Sequence, residues 1–447
     1  MTAISERLSS RRIAPGEKLP SIRGMAKTMR VSPSTVVEAY DRLAGQGLIR
    51  ARPGSGFYAL GTAPVSAAPE PRRERAVDPF WVSRQSLDAE AGVLRPGCGW
   101  LPADWMPTET IRRAMRGLAR ADAETLCDYG ASRGSLSLRR LLARQFSGEG
   151  LDVGPDAILL TGSGTQAIDL VCRQTLRPGD AVLVDDPCYF NFPAILATHG
   201  VRLVGVPRTP LGPDVERFAE ALAAHRPKLY LTNSAIHNPT GGTLAPAIAH
   251  RILLAAAQHD CLIVEDDIFA DFEPEPSPRL ASLDGLARVI RIGSFSKSLS
   301  ASLRCGYVAG QPSWIEELTD LQVASSFGGP SPVAAEIVLR ALSEGGYRKH
   351  MAALRERLAR QRREVGSALR RFGILPWTEP RGGPFLWCSL PDGRDAGALA
   401  EAALAQDMVL APGNVFSVDR TAMGMMRFNV AQMDREAVER LGALLES

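Results

Sequence analysis

A chain of 447 residues is too long for one ordinary core and calls for at least two domains, and its 45% apolar content with a net charge of +3 is that of a globular protein rather than a disordered or fibrous one. No apolar run reaches membrane-spanning length and the first residues lack the basic-then-apolar form of a secretion signal, so a cytoplasmic location is expected. Seven cysteines without a CxxC pair and six dispersed histidines argue against a disulfide framework or a metal site.

The charge is unevenly spread. Residues 1–60 hold ten Lys/Arg against four Asp/Glu, while the remainder is slightly acidic, which marks a small basic module suited to an acidic partner. In that module Ile4 to Ile13 has apolar residues at helical spacing before Ala14-Pro-Gly-Glu breaks it. Pro20 to Met29 reads as a helix with Ile22, Met25, Ala26 and Met29 on one face. After the turn Arg30-Val-Ser32, a second helix runs from Pro33 to Leu43 with Ser32 as its N-cap. A second helix opening on Ser34 and Thr35 beside Arg30 is the layout that enters a DNA major groove. Leu48 to Arg52 and Gly56 to Leu60, joined by Pro53-Gly-Ser-Gly56, read as a hairpin whose basic strand can touch phosphate.

The three linked motifs Gly16-Glu-Lys-Leu-Pro-Ser-Ile-Arg23, Val31 to Leu43 and Gly54-Ser-Gly56 resemble the winged helix-turn-helix of the GntR regulators. The resemblance implies double-stranded DNA as a partner, with Arg23, Arg30, Ser32, Ser34, Thr35, Arg50, Arg52 and Ser55 as contact candidates. Pro33 departs from the arginine usual at that position. Residues 61–92, rich in Pro and Ala to Arg75, read as a tether, although Phe80, Trp81 and Leu87 are able to pack on either side.

Beyond residue 93 the pattern changes. Strand-like runs at Ala157–Thr161, Ala181–Val184, Leu229–Thr232, Cys261–Val264, Val289–Ile292 and Cys305–Ala309 alternate with amphipathic helices, the signature of an α/β fold with an open, mostly parallel sheet. A larger part is expected over about 130–335 and a smaller α+β part over about 93–120 and 345–447, with one long helix from Tyr347 to Phe372. Gly99 to Trp105 reads as a packed N-terminal arm, with lining of the substrate entrance as the other possibility.

Ligands of such sheets bind beyond the carboxyl ends of the strands, where the chemistry-bearing residues also fall. Thr161-Gly-Ser-Gly-Thr-Gln-Ala167 opens a helix and suits a phosphate. Asp186-Pro-Cys-Tyr189 offers an aromatic face, His237-Asn-Pro-Thr-Gly-Gly242 an amide donor, and Glu265-Asp-Asp an aspartate able to keep a pyridine nitrogen protonated. Only five lysines occur in the chain, and Lys297, set among serines in Ser294-Phe-Ser-Lys-Ser-Leu-Ser and followed by Arg304, has the amine that can form an imine with an aldehyde cofactor.

Together these motifs resemble the fold type I aminotransferases, which use pyridoxal 5′-phosphate. The resemblance implies that Lys297 binds the cofactor covalently, Asp266 pairs with its ring nitrogen, Asn238 with its ring hydroxyl, and Tyr189 stacks on the ring. It further implies Ser163, Gly164, Thr165, Ser294 and Arg304 around the phosphate, Tyr129 reaching the phosphate of a neighbouring subunit in a head-to-tail homodimer, and Arg427, with Asn238, at the substrate carboxylate. Phe269 stands where that family commonly has a tyrosine. The order of the two parts resembles the MocR regulators. That implies a transcriptional regulator sensing pyridoxal phosphate or a small amino compound, the alternative being a working amino-acid aminotransferase that carries a DNA-binding module.

Overall fold

The computed structural model describes residue 4 and residues 13–60, 79–90 and 92–446. The chain divides into two compact units, Met1–Glu74 and Arg75–Ser447. The helix expected over Ile4 to Ile13 and most of the expected tether lie outside the described residues.

In the first unit, helix α1 spans Ile22–Met29 and α2 spans Pro33–Gly45. The start of α1 is two residues later than expected because Ser21, with extended backbone, caps it by accepting from the Gly24 amide at 3.2 Å. Met29 is half exposed rather than in the core, since α1 ends there and Arg30 turns into the left-handed region at φ 52°. Strands β1 (Ile49–Arg52) and β2 (Gly56–Ala59) pair antiparallel, with Arg50 opposite Tyr58. The core joins Leu19, Ala26, Val36, Tyr40, Leu43, Ile49 and Ala59. Tyr40 anchors it, its ring edge-on to Phe57 at 4.9 Å and its hydroxyl donating to the Pro20 carbonyl at 2.8 Å.

In the second unit, the tether expected over 61–92 ends early. Helix α3 (Pro79–Leu87) buries Trp81, Val82 and Ser86, whereas Leu87 is exposed. The main sheet holds β3 (Ile158–Thr161), β4 (Ala181–Asp186), β5 (Arg202–Thr209), β6 (Gly212–Pro213), β7 (Leu229–Thr232), β8 (Leu262–Asp266), β9 (Val289–Ser294) and β10 (Gly306–Ala309) in the order β3-β10-β9-β8-β7-β4-β5-β6. The pairs β5/β4, β4/β7, β7/β8 and β8/β9 are parallel, and β10 is antiparallel to both of its neighbours. Alternate residues of a strand point to opposite faces, and here both faces are apolar and covered. Leu159, Val182, Val184, Ile290 and Ile292 join one core layer, while Leu160, Leu183 and Val289 join the other.

A second sheet, ordered β11-β12-β14-β13, is built from Leu375–Pro376, Phe385–Ser389, Ala411–Pro412 and Met425–Asn429. The long helix Gly346–Arg370 buries Met351, Leu354, Leu358 and Leu369. Within β12 and β14, Trp387 lies opposite Arg427.

Candidate active site

Parallel pairing brings the carboxyl ends of β4, β7, β8 and β9 to one edge, and the loops leaving that edge carry the site. The antiparallel β10 enters from the same edge, so Arg304, two residues before it, arrives there from the other direction. Helix α4 (Gly164–Thr175) follows β3 and points its N-terminus at this edge. Ser163 caps α4 by accepting from the Gln166 amide at 3.0 Å, and Ser294 approaches within van der Waals reach of Gly164. Gly306 packs into the same corner, where an added Cβ would stand 2.8 Å from the Gly293 carbonyl oxygen and 3.1 Å from the Gly164 nitrogen. The opening turn of α4, the Ser294 and Ser296 hydroxyls 2.8 Å apart, and the exposed Arg304 together offer donors suited to an anion. Thr165 is exposed at the first turn.

Lys297 is partly accessible, yet its amine is enclosed enough that burial lowers its pKa from 10.5 to about 8. The Cys98 thiol and Asp266 oppose that shift, and Arg427 and Arg304 add to it. Its amine lies 5.6 Å from the centre of the Trp100 ring. Asp266, at the end of β8, is buried, which raises its pKa to about 7 against hydrogen bonds from the Ile268 amide and Asn233. The Asn233 side chain also donates to the Asp266 carbonyl at 3.1 Å. Tyr189 is pushed up to about 12 by burial.

The loop carrying Asn238 rests on a buried polar floor. Asp185 accepts from Tyr230 (2.6 Å), Thr232 (2.6 Å) and Arg208 (3.0 Å), and His237 Nε2 stands 3.3 Å away. Burial alone would raise Asp185, but Arg208 and His237 outweigh it and hold the carboxyl at about 2. Burial and Arg208 hold His237 down to about 4, so the pair is a carboxylate beside a neutral imidazole at pH 7. Peptide bonds preceding Pro187 and Pro239 are cis. On this floor Asn238 accepts from Arg427 through its Oδ1 at 2.8 Å. Arg427 is fully buried, also donates to the Gly97 carbonyl, and lies 4.7 Å over the Phe385 ring and 4.8 Å over the Phe416 ring. Its Nε has no hydrogen-bond partner among the described residues.

Lys297, Asp266, Asn238, Tyr189, Arg427 and the anion donors thus converge. Tyr129 does not join them within one chain. It is 75% exposed and packs edge-on against the equally superficial Phe327 at 4.9 Å. Phe269 is buried 5.1 Å from Phe385 and offers no hydroxyl. Sequence reasoning missed the part played by Gly97 and Cys98, while Trp100, read as arm or substrate entrance, does stand beside the Lys297 amine. It also missed Asn233 and the Asp185 floor, whose polar residues sit in strands that read as plain core. Among the described residues no group of histidines, cysteines and carboxylates is able to hold a metal, and no helix is long and apolar enough to cross a membrane.

The donor set fits pyridoxal 5′-phosphate. An amine near neutrality, a buried carboxylate, a set of anion donors and a guanidinium with an unused donor lie around one edge. In the first unit the predicted DNA contacts Arg23, Arg30, Ser34, Thr35, Arg50 and Arg52 are exposed and Ser55 is half-buried. The Ser32 hydroxyl is taken by the cap of α2, where it accepts from the Thr35 amide.

Residues 101–444 match the family described as aminotransferase class I and II, and residues 1–59 match the gntR family of bacterial regulatory proteins. The chain is 29% identical to the uncharacterized HTH-type transcriptional regulator YdcR of Escherichia coli, across 99% of this chain and 97% of that one. It is 30% identical to a 2-aminoadipate transaminase of Thermus thermophilus, across 79% and 91%. Among solved structures it superposes on LysN, the α-aminoadipate aminotransferase of Thermus thermophilus complexed with N-(5′-phosphopyridoxyl)-L-leucine, with a TM-score of 0.74, 28% identity and coverage of 82% and 94%.

Proposed function

The chain belongs to the class I and II aminotransferase family and carries a gntR-family domain ahead of that fold, and from this we propose how its two parts divide the work of a transcriptional regulator. The N-terminal unit binds duplex DNA, and the aminotransferase-like unit binds pyridoxal 5′-phosphate together with a small amino acid or amine. The observation that carries the reading is the convergence of Lys297, Asp266, Asn238 and Arg427 in a chain whose first unit is a basic helix-turn-helix.

Pyridoxal phosphate, when bound, supplies an electron sink for charge developing beside its ring. The chain's residues prepare for it. Lys297 presents an amine that is neutral in a useful fraction at pH 7, and the Asp266 carboxylate attracts a proton to the ring nitrogen. Asn238 offers its amide NH₂, because its oxygen already accepts from Arg427. The α4 terminus, Ser163, Thr165, Ser294 and Arg304 hold the phosphate, and Tyr189 covers the ring. Arg427, packed against the Phe385 and Phe416 rings, grips a carboxylate with the donors it has left.

We assign Tyr129 to the partner site of a head-to-tail homodimer, a role supported by its exposure beside Phe327. A dimer presents two basic modules, and ligand acts on DNA binding to the extent that it prefers one arrangement of them. The test is selection of duplex fragments retained by the full chain, with and without pyridoxal phosphate. A selected sequence whose retention changes with cofactor is expected, and no specific retention in either condition refutes the regulator.

A second reading, a catalytically active aminotransferase, is favoured by the complete set of Lys297, Asp266, Asn238, Arg304 and Arg427. Turnover of an amino-acid panel with a 2-oxo acid supports it, and absence of turnover by cofactor-loaded protein removes it.

A further inference from the structure

The DNA-reading surface has a composition that its charge does not suggest. The first two turns of α2, Pro33 to Ala39, contain no lysine or arginine. The helix's one basic residue, Arg42, is tied to Glu38 at 2.5 Å. Its hydroxyls are also committed, since Ser32 Oγ lies 2.7 Å from Ser34 Oγ and 2.8 Å from Thr35 Oγ1. What remains outward on the opening turns is apolar. Val36, Tyr40 and Leu43 face the core, whereas Val37 is 40% exposed and Pro33, one helical turn earlier on the same side, is exposed as well. Val31, just ahead of the helix, is 41% exposed.

The same unit also exposes a set of cations. Arg23 and Lys27 on α1, Arg30 in the turn, and Arg50 and Arg52 on β1 are all exposed. An apolar spot on the opening turns of a recognition helix, in a unit that also exposes cations, complements one feature of duplex DNA. The 5-methyl group of thymine is the apolar group on that groove's floor, and phosphates flank it. The opening turns of α2 carry no arginine for bidentate guanine reading.

We infer that Val37, with Pro33 beside it, reads a thymine methyl group in each half-site, so that sequence preference comes from this apolar contact and the cations supply affinity without choice. This rests on the DNA-binding reading above and adds the base class and the residue that selects it.

The experiment uses the full chain and the duplex recovered by fragment selection. Each thymine of the half-site is replaced in turn by deoxyuridine, which removes the methyl group alone. At one position a three- to tenfold loss of affinity is expected, the worth of about one buried methyl group. In Val37→Ala that same replacement is expected to cost less than about twofold, and Val37→Ile is expected to restore the sensitivity, because each leaves the exposed helix face foldable. Deoxyuridine tolerated at every thymine, or an equal loss in wild type and Val37→Ala, overturns the inference while leaving DNA binding intact. Failure to recover any specific duplex overturns both.

Discussion

The enclosed amine of Lys297 sets a testable rate. A lysine of ordinary pKa 10.5 is neutral in about one molecule in three thousand at pH 7, and one held at about 8 in about one in ten, so its advantage as a nucleophile is at most about 300-fold. Full-length protein stripped of cofactor is mixed with pyridoxal phosphate between about pH 6 and 10, reduced with borohydride, and weighed intact. Covalent capture at Lys297 is expected to speed up about tenfold per pH unit and to level off above about 8; Lys297→Ala should capture nothing at this site. The same shift has a sign in stability. A lysine whose folded pKa is lowered costs the fold stability below that pKa, and the cost disappears as pH rises from about 8 towards 10.5. Asp266, raised from 3.8 to about 7, works oppositely in a separate window. Its contribution is present at low pH and lost as pH rises from about 4 through 7. The denaturation midpoint of wild type relative to Lys297→Met should therefore rise between about pH 8 and 10. Capture that keeps accelerating to pH 10, or a wild-type/Met difference without slope, refutes the enclosed-amine account.

Three further outcomes follow from the geometry. Gly134→Ala should lower the thermal midpoint at a cost of about 2 kcal/mol or more, because Gly134 has φ +78° and an added Cβ would stand 2.7 Å from Leu160 Cβ. Phe269→Tyr adds the ring-oxygen donor that Phe269 lacks and should lower the pH midpoint of the visible cofactor absorbance. Identical midpoints count against a role for position 269. Arg427→Lys loses the planar fork shared by Asn238 and Gly97, and should weaken amino-acid binding roughly a hundredfold by spectral titration while leaving cofactor capture at Lys297 in place.

The sequence was most informative where one local rule decides the outcome. Ser32 ahead of Pro33 marks the start of α2, and the apolar runs ending in Thr161, Thr232 and Val264 mark strands covered on both faces, because period and capping are local properties. It was least informative where partners lie far apart along the chain. Nothing near Gly97 announces that its carbonyl accepts from Arg427, or near Asp185 that it gathers Tyr230, Thr232 and Arg208. Short pairings such as β11 and β13 carry too few residues to show alternation. The helix Pro79–Leu87 was hidden inside a Pro-rich stretch, and its packing was settled by Trp81 and Val82 finding a core elsewhere in the chain.

The guanidinium of Arg427 joins three stretches far apart in sequence: its own strand β14, the loop after β7 through Asn238, and the segment well ahead of β3 through Gly97. A carboxylate arriving there would meet a side chain that already staples the two sheets together, so its arrival would be felt by the same three nitrogens. Nitrogen-15 labelling of arginine would turn that staple into a gauge, giving a resonance that reports a filled pocket whether or not any product is ever released.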